Sequence, residues 1–338
     1  MSVSKNNISL QSVGQGFTRP ECVLTHQSGL VFASDWSGMG GVRVLYPDGQ
    51  AVTVSAENCQ EPVRPNGIAL EPGGEFILAH LGDIHGGLLK MSATGSVSTL
   101  VSKVDGQPLP PTNYVVRDNL GRLWLTVSTT KVPRSADYRR NANSGFIAVV
   151  LPGQNEARIV AKELGYTNEC VVDTDNKVLY VNETFTQKLS RFDVADDGSL
   201  SNKHVIAEFD EGTFPDGLCL DADGNLWVTS IISNRLIRVS PTGEQLLIYE
   251  DCDQAHLAAA ITALNDNSLS SAHLGSVGDA QTQNISSMAF GGSDLSTMYF
   301  GNLLGDVIYS HKSSTVGKPL PHWNMPLGKL ESLREKVD

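Results

Sequence analysis

The 338-residue sequence predicts an all-β fold: a six-bladed β-propeller of four-stranded blades, with a short helical insert between blades 5 and 6. Three observations lead there. One strand-turn-strand unit recurs six times at the span of a propeller blade. Each copy opens on a polar residue that is neither Lys nor Arg. A strand-like segment near the N-terminus is left over from the first unit and is available to complete the last one.

The unit is a short apolar strand, a turn rich in Gly, Asn and Asp, and a second strand ending in small polar residues. Its clearest copies are NGIALEPGGEFILAH from Asn66, NYVVRDNLGRLWLTVS from Asn113, NECVVDTDNKVLYVNE from Asn168 and DGLCLDADGNLWVTS from Asp216. Looser copies are ECVLTHQSGLVFASDW from Glu21 and SSMAFGGSDLSTMYFGN from Ser286. Successive starts lie 45 to 70 residues apart, room for four strands each. Third and fourth strands are readable as GVRVLY from Gly41 and AVTVS from Ala51, around the turn Pro47-Asp48-Gly49. In the fifth unit they are RLIRV from Arg235 and EQLLIYE from Glu244, around Pro241-Thr242-Gly243. Ile8 to Val13 is the spare strand that closes the ring. Between blades 5 and 6, DQAHLAAAITALNDN from Asp253 to Asn267 is alanine-rich with an Asp at its start, so it reads as a helix on the face where blade-to-blade connections emerge. Beyond about residue 311, Pro319, Pro321 and Pro326 precede a charged end, expected to pack outside the ring or fray. Residues 1–338 read as one propeller domain.

Charge and cysteine usage narrow the function. The 37 acidic residues outnumber 25 Lys and Arg, giving −12, and no stretch concentrates cations as a phosphate-binding face requires. Nucleic acid is not an expected partner. The N-terminus lacks a charged leader followed by an apolar run, and no run of about eighteen apolar residues occurs, so a cytoplasmic protein with no membrane contact is expected. Five cysteines, odd in number and without a C-x-x-C pair, signal neither a disulfide framework nor a thiolate zinc site.

In a propeller the first strand of each blade lines the channel, and equivalent positions converge on the axis. Here they are Glu21, Asn66, Asn113, Asn168, Asp216 and Ser286. A single Asn-Gly pair is an ordinary turn. Two carboxylates beside one axis are different, because without a cation they repel and shift their pKa values. A divalent ion resolves the repulsion. Carboxylates plus amide carbonyls form a hard, all-oxygen site suited to Ca²⁺, Mg²⁺, Mn²⁺ or a carboxylate-bound Zn²⁺.

The motifs RPE at Arg19 to Glu21, RPNGIAL at Arg64 to Leu70, FPDGLCLDADGNLWVT at Phe214 to Thr229 and SSMAFGGSDLSTMYF at Ser286 to Phe300 carry a resemblance. Over essentially all six blades the chain resembles the senescence marker protein (regucalcin)/gluconolactonase family of metal-dependent propeller lactonases. The resemblance implies one divalent metal ion held by Glu21, Asn168 and Asp216, with Asn113 helping to hold metal or substrate, and Asp216 as the general base. Diisopropyl fluorophosphatase, a related propeller, uses a similar Glu-Asn-Asn-Asp set. The chain departs from the family in having Tyr114 and Glu169 directly after Asn113 and Asn168.

The loops between second and third strands form the pocket rim, and the longest, Thr129 to Ser144, reads as a lid carrying Arg134, Tyr138, Arg139 and Arg140. Its cations are suited to a substrate carboxylate or a developing anion. Candidate substrate contacts are Asn66, Tyr114, Arg134, Tyr138, Glu183 and Trp36, and candidate catalytic residues are Asp216 and Asn113. His80, His85, His256 and His273 are read as solvated or structural before proton shuttles. The expected activity is metal-dependent opening of a small lactone of some hydrophobic character. Alternatives on the same site are an arylesterase or phosphotriesterase-like hydrolase, or a non-catalytic calcium- or ligand-binding propeller.

Overall fold

A computed structural model describes residues 2–3 and 8–336. It contains six blades of four antiparallel strands, the fifth extended by a short parallel strand, and their first strands neighbour one another around a central axis. Blade 1 is Val23–Thr25, Val31–Asp35, Gly41–Leu45 and Ala51–Ser55. The first strands of blades 2 to 5 are Pro65–Glu71, Tyr114–Arg117, Thr167–Asp173 and Phe214–Leu220. Blade 6 starts at Ile285–Gly291, and its outer strand, Gln11–Val13, comes from the N-terminus and pairs antiparallel with Ile308–Lys312. The expected closure is thus present, and the last strand runs just past the point where the sequence puts the start of the tail. The pairing of Ser2–Val3 parallel to the outer strand of blade 5, Gln245–Glu250, carries no signal in the sequence.

Second strands are mostly buried, with apolar residues over most of their length, because each sheet is sandwiched between two others. In Leu123–Val127, Leu123, Leu125 and Val127 pack with Ile77, Ala79 and Val115, while Trp124 packs with Leu179 and Val181. Burial of each such side chain is worth about 1.5–3 kcal/mol. The turn ahead of this strand is built by Asp118, whose carboxylate accepts from Leu120 N (2.9 Å), Arg122 N (3.0 Å) and the Trp124 indole (2.8 Å). Asp221 repeats the device with Asp223 N, Asn225 N and Trp227. Gly121 (φ 78°) and Gly224 (φ 82°) supply the left-handed residue that each turn needs.

The insert is helical as expected, but trimmed: α1 spans Gln254–Asn265 and Asp253 is its N-cap, accepting from Ala255 N and His256 N. A second short helix, α2 (Ser271–Leu274), follows. Asp251 pins the insert's base by accepting from Gln281 N and Thr282 N (2.9 and 2.7 Å).

The tail is ordered rather than frayed through the described residues. It crosses the end of the ring opposite the polar residues: Lys318 N donates to Leu220 O, Gln27 N to Trp323 O, and Gly73 N to Pro326 O. Leu327 and Leu330 are fully buried.

Candidate active site

Four of the first strands carry a bulge where the axial residue sits. Between Pro65 and Ile68, Thr167 and Cys170, and Pro215 and Leu218, three steps on the inner strand face two on its partner, and Ile285 to Ser287 faces a single step. The extra residue leaves the ladder, and Asn66, Asn168, Asp216 and Ser286 occupy these positions. Gly67 and Gly217 follow two of them; a Cβ on Gly67 would lie 2.7 Å from Tyr114 Cα, so glycine lets neighbouring inner strands approach.

The result is a buried ring. Asn66 Nδ2 donates to Glu21 Oε1 (2.7 Å) and Asn113 Oδ1 (3.1 Å), and Asn113 Nδ2 donates to Asn168 Oδ1 (2.7 Å). Asn168 Nδ2 in turn donates to Thr184 Oγ1 (3.1 Å). Ser286 turns away, donating its hydroxyl to Glu21 O. Glu21, Asn66, Asn113, Asn168 and Asp216 line one cavity of about 60 Å³. Burial, then the charges of Glu21 and Glu169, push the Asp216 carboxyl well above its usual range, against the pull of Arg19 and Arg134. Among the described residues, Asn66 Oδ1 is buried without a donor.

This donor set fits a hard divalent cation: two mutually repelling carboxylates, amide oxygens, and an amide oxygen lacking a partner. The cavity lining contains no His or Cys, so the ligands it offers are oxygens.

Above the ring, Tyr138, Tyr166 and Phe185 form an aromatic wall with ring centroids 4.6 to 5.4 Å apart. Ile231, Leu274 of α2 and Leu303 complete it, and α1 packs behind it through Leu257, Ala260 and Leu264. The insert therefore covers the ring face, as expected. The third-blade loop is fastened by buried Asp137, which accepts from Thr129 and Ser144 and pairs with Lys131 at 2.7 Å. Its residues Arg134 and Tyr138 reach the cavity; Arg140 instead bonds Asn265 and Gln187, and Arg139 bonds Ala136 O.

Other candidates stand elsewhere. The Glu183 carboxylate is turned into the protein, accepting from Gly165 N (2.6 Å) and Ser190 (2.5 Å) and pairing with Lys203 (2.8 Å). It holds the turn that presents Tyr166, which has φ 66°. Trp36 donates its indole N–H to Pro65 O and is stacked by Arg19 at 4.6 Å, outside the cavity lining. Tyr114 lies buried beneath the ring with Cys22 and Cys170. None of the four histidines lines the cavity.

Among the neighbours of the site not singled out in the sequence are Tyr166, Leu274, Leu303 and Arg19, the last held at φ 55° and paired with Glu21 Oε2 at 2.6 Å. Arg19 was visible only as part of the RPE motif. Glu169, noted only as a departure, is fully buried and accepts from Leu218 N; burial chiefly pushes its carboxyl up to about 8. Burial likewise raises the thiols of Cys22, Cys170 and Cys219, the last to about 12, so they remain protonated packing groups.

Fold and cavity together define a six-bladed propeller with an oxygen-rich axial site beneath an apolar wall. Residues 19–256 match the model of the SMP-30/Gluconolactonase/LRE-like region, and the chain belongs to that family. Regucalcin of Xenopus laevis is 28% identical over 210 residues, 61% of this chain and 67% of that one. Lactonase drp35 of Staphylococcus saprophyticus is 24% identical over 231 residues, 64% of this chain and 65% of its own. The matched stretch therefore spans about two thirds of either relative. Among solved structures, a gluconolactonase from Xanthomonas campestris superposes with a TM-score of 0.66 at 17% identity, covering 90% of this chain and 89% of that one, a likeness of fold.

Proposed function

We propose that the protein is an enzyme that opens a lactone by hydrolysis, using one divalent ion held by Glu21, Asn168 and Asp216, with Asn113 beside it. The observation that carries this reading is the convergence of two carboxylates and three amides in one buried cavity with an unsatisfied amide oxygen. The lactonase among the relatives supports the reaction class. Ca²⁺ and Zn²⁺ are the ions favoured, with Mg²⁺ and Mn²⁺ compatible with the same oxygens.

When bound, the ion polarises the ester carbonyl and makes water more acidic. Asp216 would take the proton of the attacking water as the general base. The acyl carbon gains an oxygen from water, the ring C–O bond breaks, and the ring oxygen leaves with a proton as the alcohol of a hydroxy acid. Asn113, hydrogen bonded to Arg134 at 3.0 Å, orients the ester, and the aromatic wall excludes water from its carbons. That wall also favours an aryl ester as second substrate class.

The test is metal depletion followed by single-ion resupply, with γ- and δ-lactones, aryl esters and a phosphotriester as substrates. Ion-dependent lactone opening is the expected result. Ion binding without turnover of any substrate would leave a ligand-binding propeller instead.

A further inference from the structure

Two guanidinium groups reach the cavity, and neither is used up by the protein. Arg134 makes its hydrogen bonds to Asn113 Oδ1 and Ser128 Oγ through one nitrogen, Nη2, at 3.0 and 3.1 Å. Its Nε–H is buried without an acceptor, and so is that of Arg19, whose Nη2 pairs with Glu21. Both are held in place by rings: Arg134 lies 5.7 Å from the centroid of Tyr166, and Arg19 stacks on Trp36. Arg139 and Arg140, on the same loop as Arg134, bond elsewhere, which leaves Arg19 and Arg134 as the cavity's cations.

The charge count gives these groups a meaning. Arg19 and Arg134 balance Glu21 and Asp216 in the cavity lining. A divalent ion on the carboxylates would then leave the site with an excess of positive charge. A buried excess of charge is costly unless a ligand completes it. Planar guanidinium donors match the two oxygens of a carboxylate.

Resting on the lactone-hydrolase reading, we propose that the substrate is a lactone bearing a carboxylate arm, paired with Arg134 and Arg19, while its ring carbons lie against Tyr138, Tyr166 and Phe185. The site thereby discriminates against the corresponding uncharged lactone.

Binding, rather than turnover, tests this. Cyclopentanecarboxylate and cyclopentanecarboxamide, which cannot be hydrolysed, are titrated calorimetrically into the full chain saturated with Ca²⁺ and, in parallel, Zn²⁺. The acid is expected to bind roughly ten- to a hundredfold more tightly than the amide. In Arg134→Gln that preference falls about tenfold, and Arg134→Lys, which keeps the charge but not the planar fork, retains only part of it. Near-ultraviolet circular dichroism verifies that each variant is folded. Equal preference in wild type and Arg134→Gln, which includes capture of the carboxylate by the ion alone, overturns the proposal, as does failure of either probe to show a charge preference. If the preference behaves as stated but no lactone is hydrolysed, the anion site stands and the hydrolase reading falls.

Discussion

Replacing Asp216 by Asn is expected to stabilise the protein when its ions are stripped by chelator and to remove the stabilisation that ions confer on the wild type. Among the described residues the Asp216 carboxylate accepts no hydrogen bond from the protein; the bond from Asn182 Nδ2 goes to the backbone oxygen, which the substitution keeps. Nothing of that kind is lost, while the repulsion with Glu21 is relieved. Burial and the repulsion of Glu21 and Glu169 outweigh the attraction of Arg19 and Arg134 at this carboxylate, so the expected gain is about 1 kcal/mol, below the ~3–5 kcal/mol of a buried charge with no partner. For 338 residues the unfolding entropy is about 0.7 kcal/mol/K, so Tm rises by about 1–2 °C. The pH dependence has a definite sign. Asp216 has a folded-state pKa above its unfolded value, so its cost is absent in acid and grows as pH rises through the folded pKa. The advantage of the variant therefore widens with pH. Thermal melts in chelator and in each ion, from acid to mildly alkaline pH, provide the assay. A variant that melts below wild type in chelator, or that gains as much from ions as wild type does, refutes the reasoning.

Three further outcomes follow from other parts of the fold. Burial, aided by His26, holds the imidazole of His322 down at about 4. It therefore stays neutral in the folded protein while the unfolded chain takes a proton near pH 6.5, and roughly 3 kcal/mol of stability is lost as pH falls between those values. His322→Gln flattens this slope in denaturant titrations at neutral and acid pH; parallel slopes would dismiss His322 as the cause. Asp118→Ala strands buried Arg122, paired at 2.6 Å, and is expected to cost about 3–5 kcal/mol. Asp221→Ala, which loses Asn225 and Trp227 but strands no cation, costs about 2 kcal/mol, and equal losses in chemical denaturation would contradict the distinction. Tyr138→Ala removes one of the three rings that line the cavity and is expected to raise KM about tenfold with a smaller change in kcat, read from steady-state kinetics on the preferred lactone.

The propeller was legible because its repeat is written in the residues that local physics demands: Asp-x-x-Gly turns with a Trp to satisfy, and apolar second strands buried on both faces. The polar ring was legible for the same reason, since rotational equivalence turns a repeat alignment into a statement about the axis. What escaped was set by tertiary contact. The direction of the Glu183 side chain depends on Gly165, Ser190 and Lys203, which are adjacent in the fold and scattered in sequence. Tyr166 reaches the cavity through a positive φ that no residue at its position advertises. The bulges had one faint signal, Asn-Gly at 66 and Asp-Gly at 216, and none at Asn168-Glu169.

That last pair has a consequence for how the site is reached. Where the residue after the ring is glycine, as at Gly67 and Gly217, inner strands close up on one another. Where it is Tyr114 or Glu169, a large buried group stands below the ring, packed with Cys22 and Cys170. The channel is thereby filled beneath the cavity, and the C-terminal strap crosses the same end of the ring. On the proposed hydrolase reading, substrate and product pass the opposite rim, between the Arg134 loop and Leu274 of α2. There the insert is tied to blade 5 through Asn284, whose Oδ1 accepts from Ile232 N at 2.6 Å while its Nδ2 donates to Leu274 O at 2.7 Å. A free volume of about 60 Å³ has room for water but not for a substituted lactone. On the proposed reading, Leu274, whose backbone oxygen accepts from Asn284, and the aromatic wall are what a bound lactone has to displace.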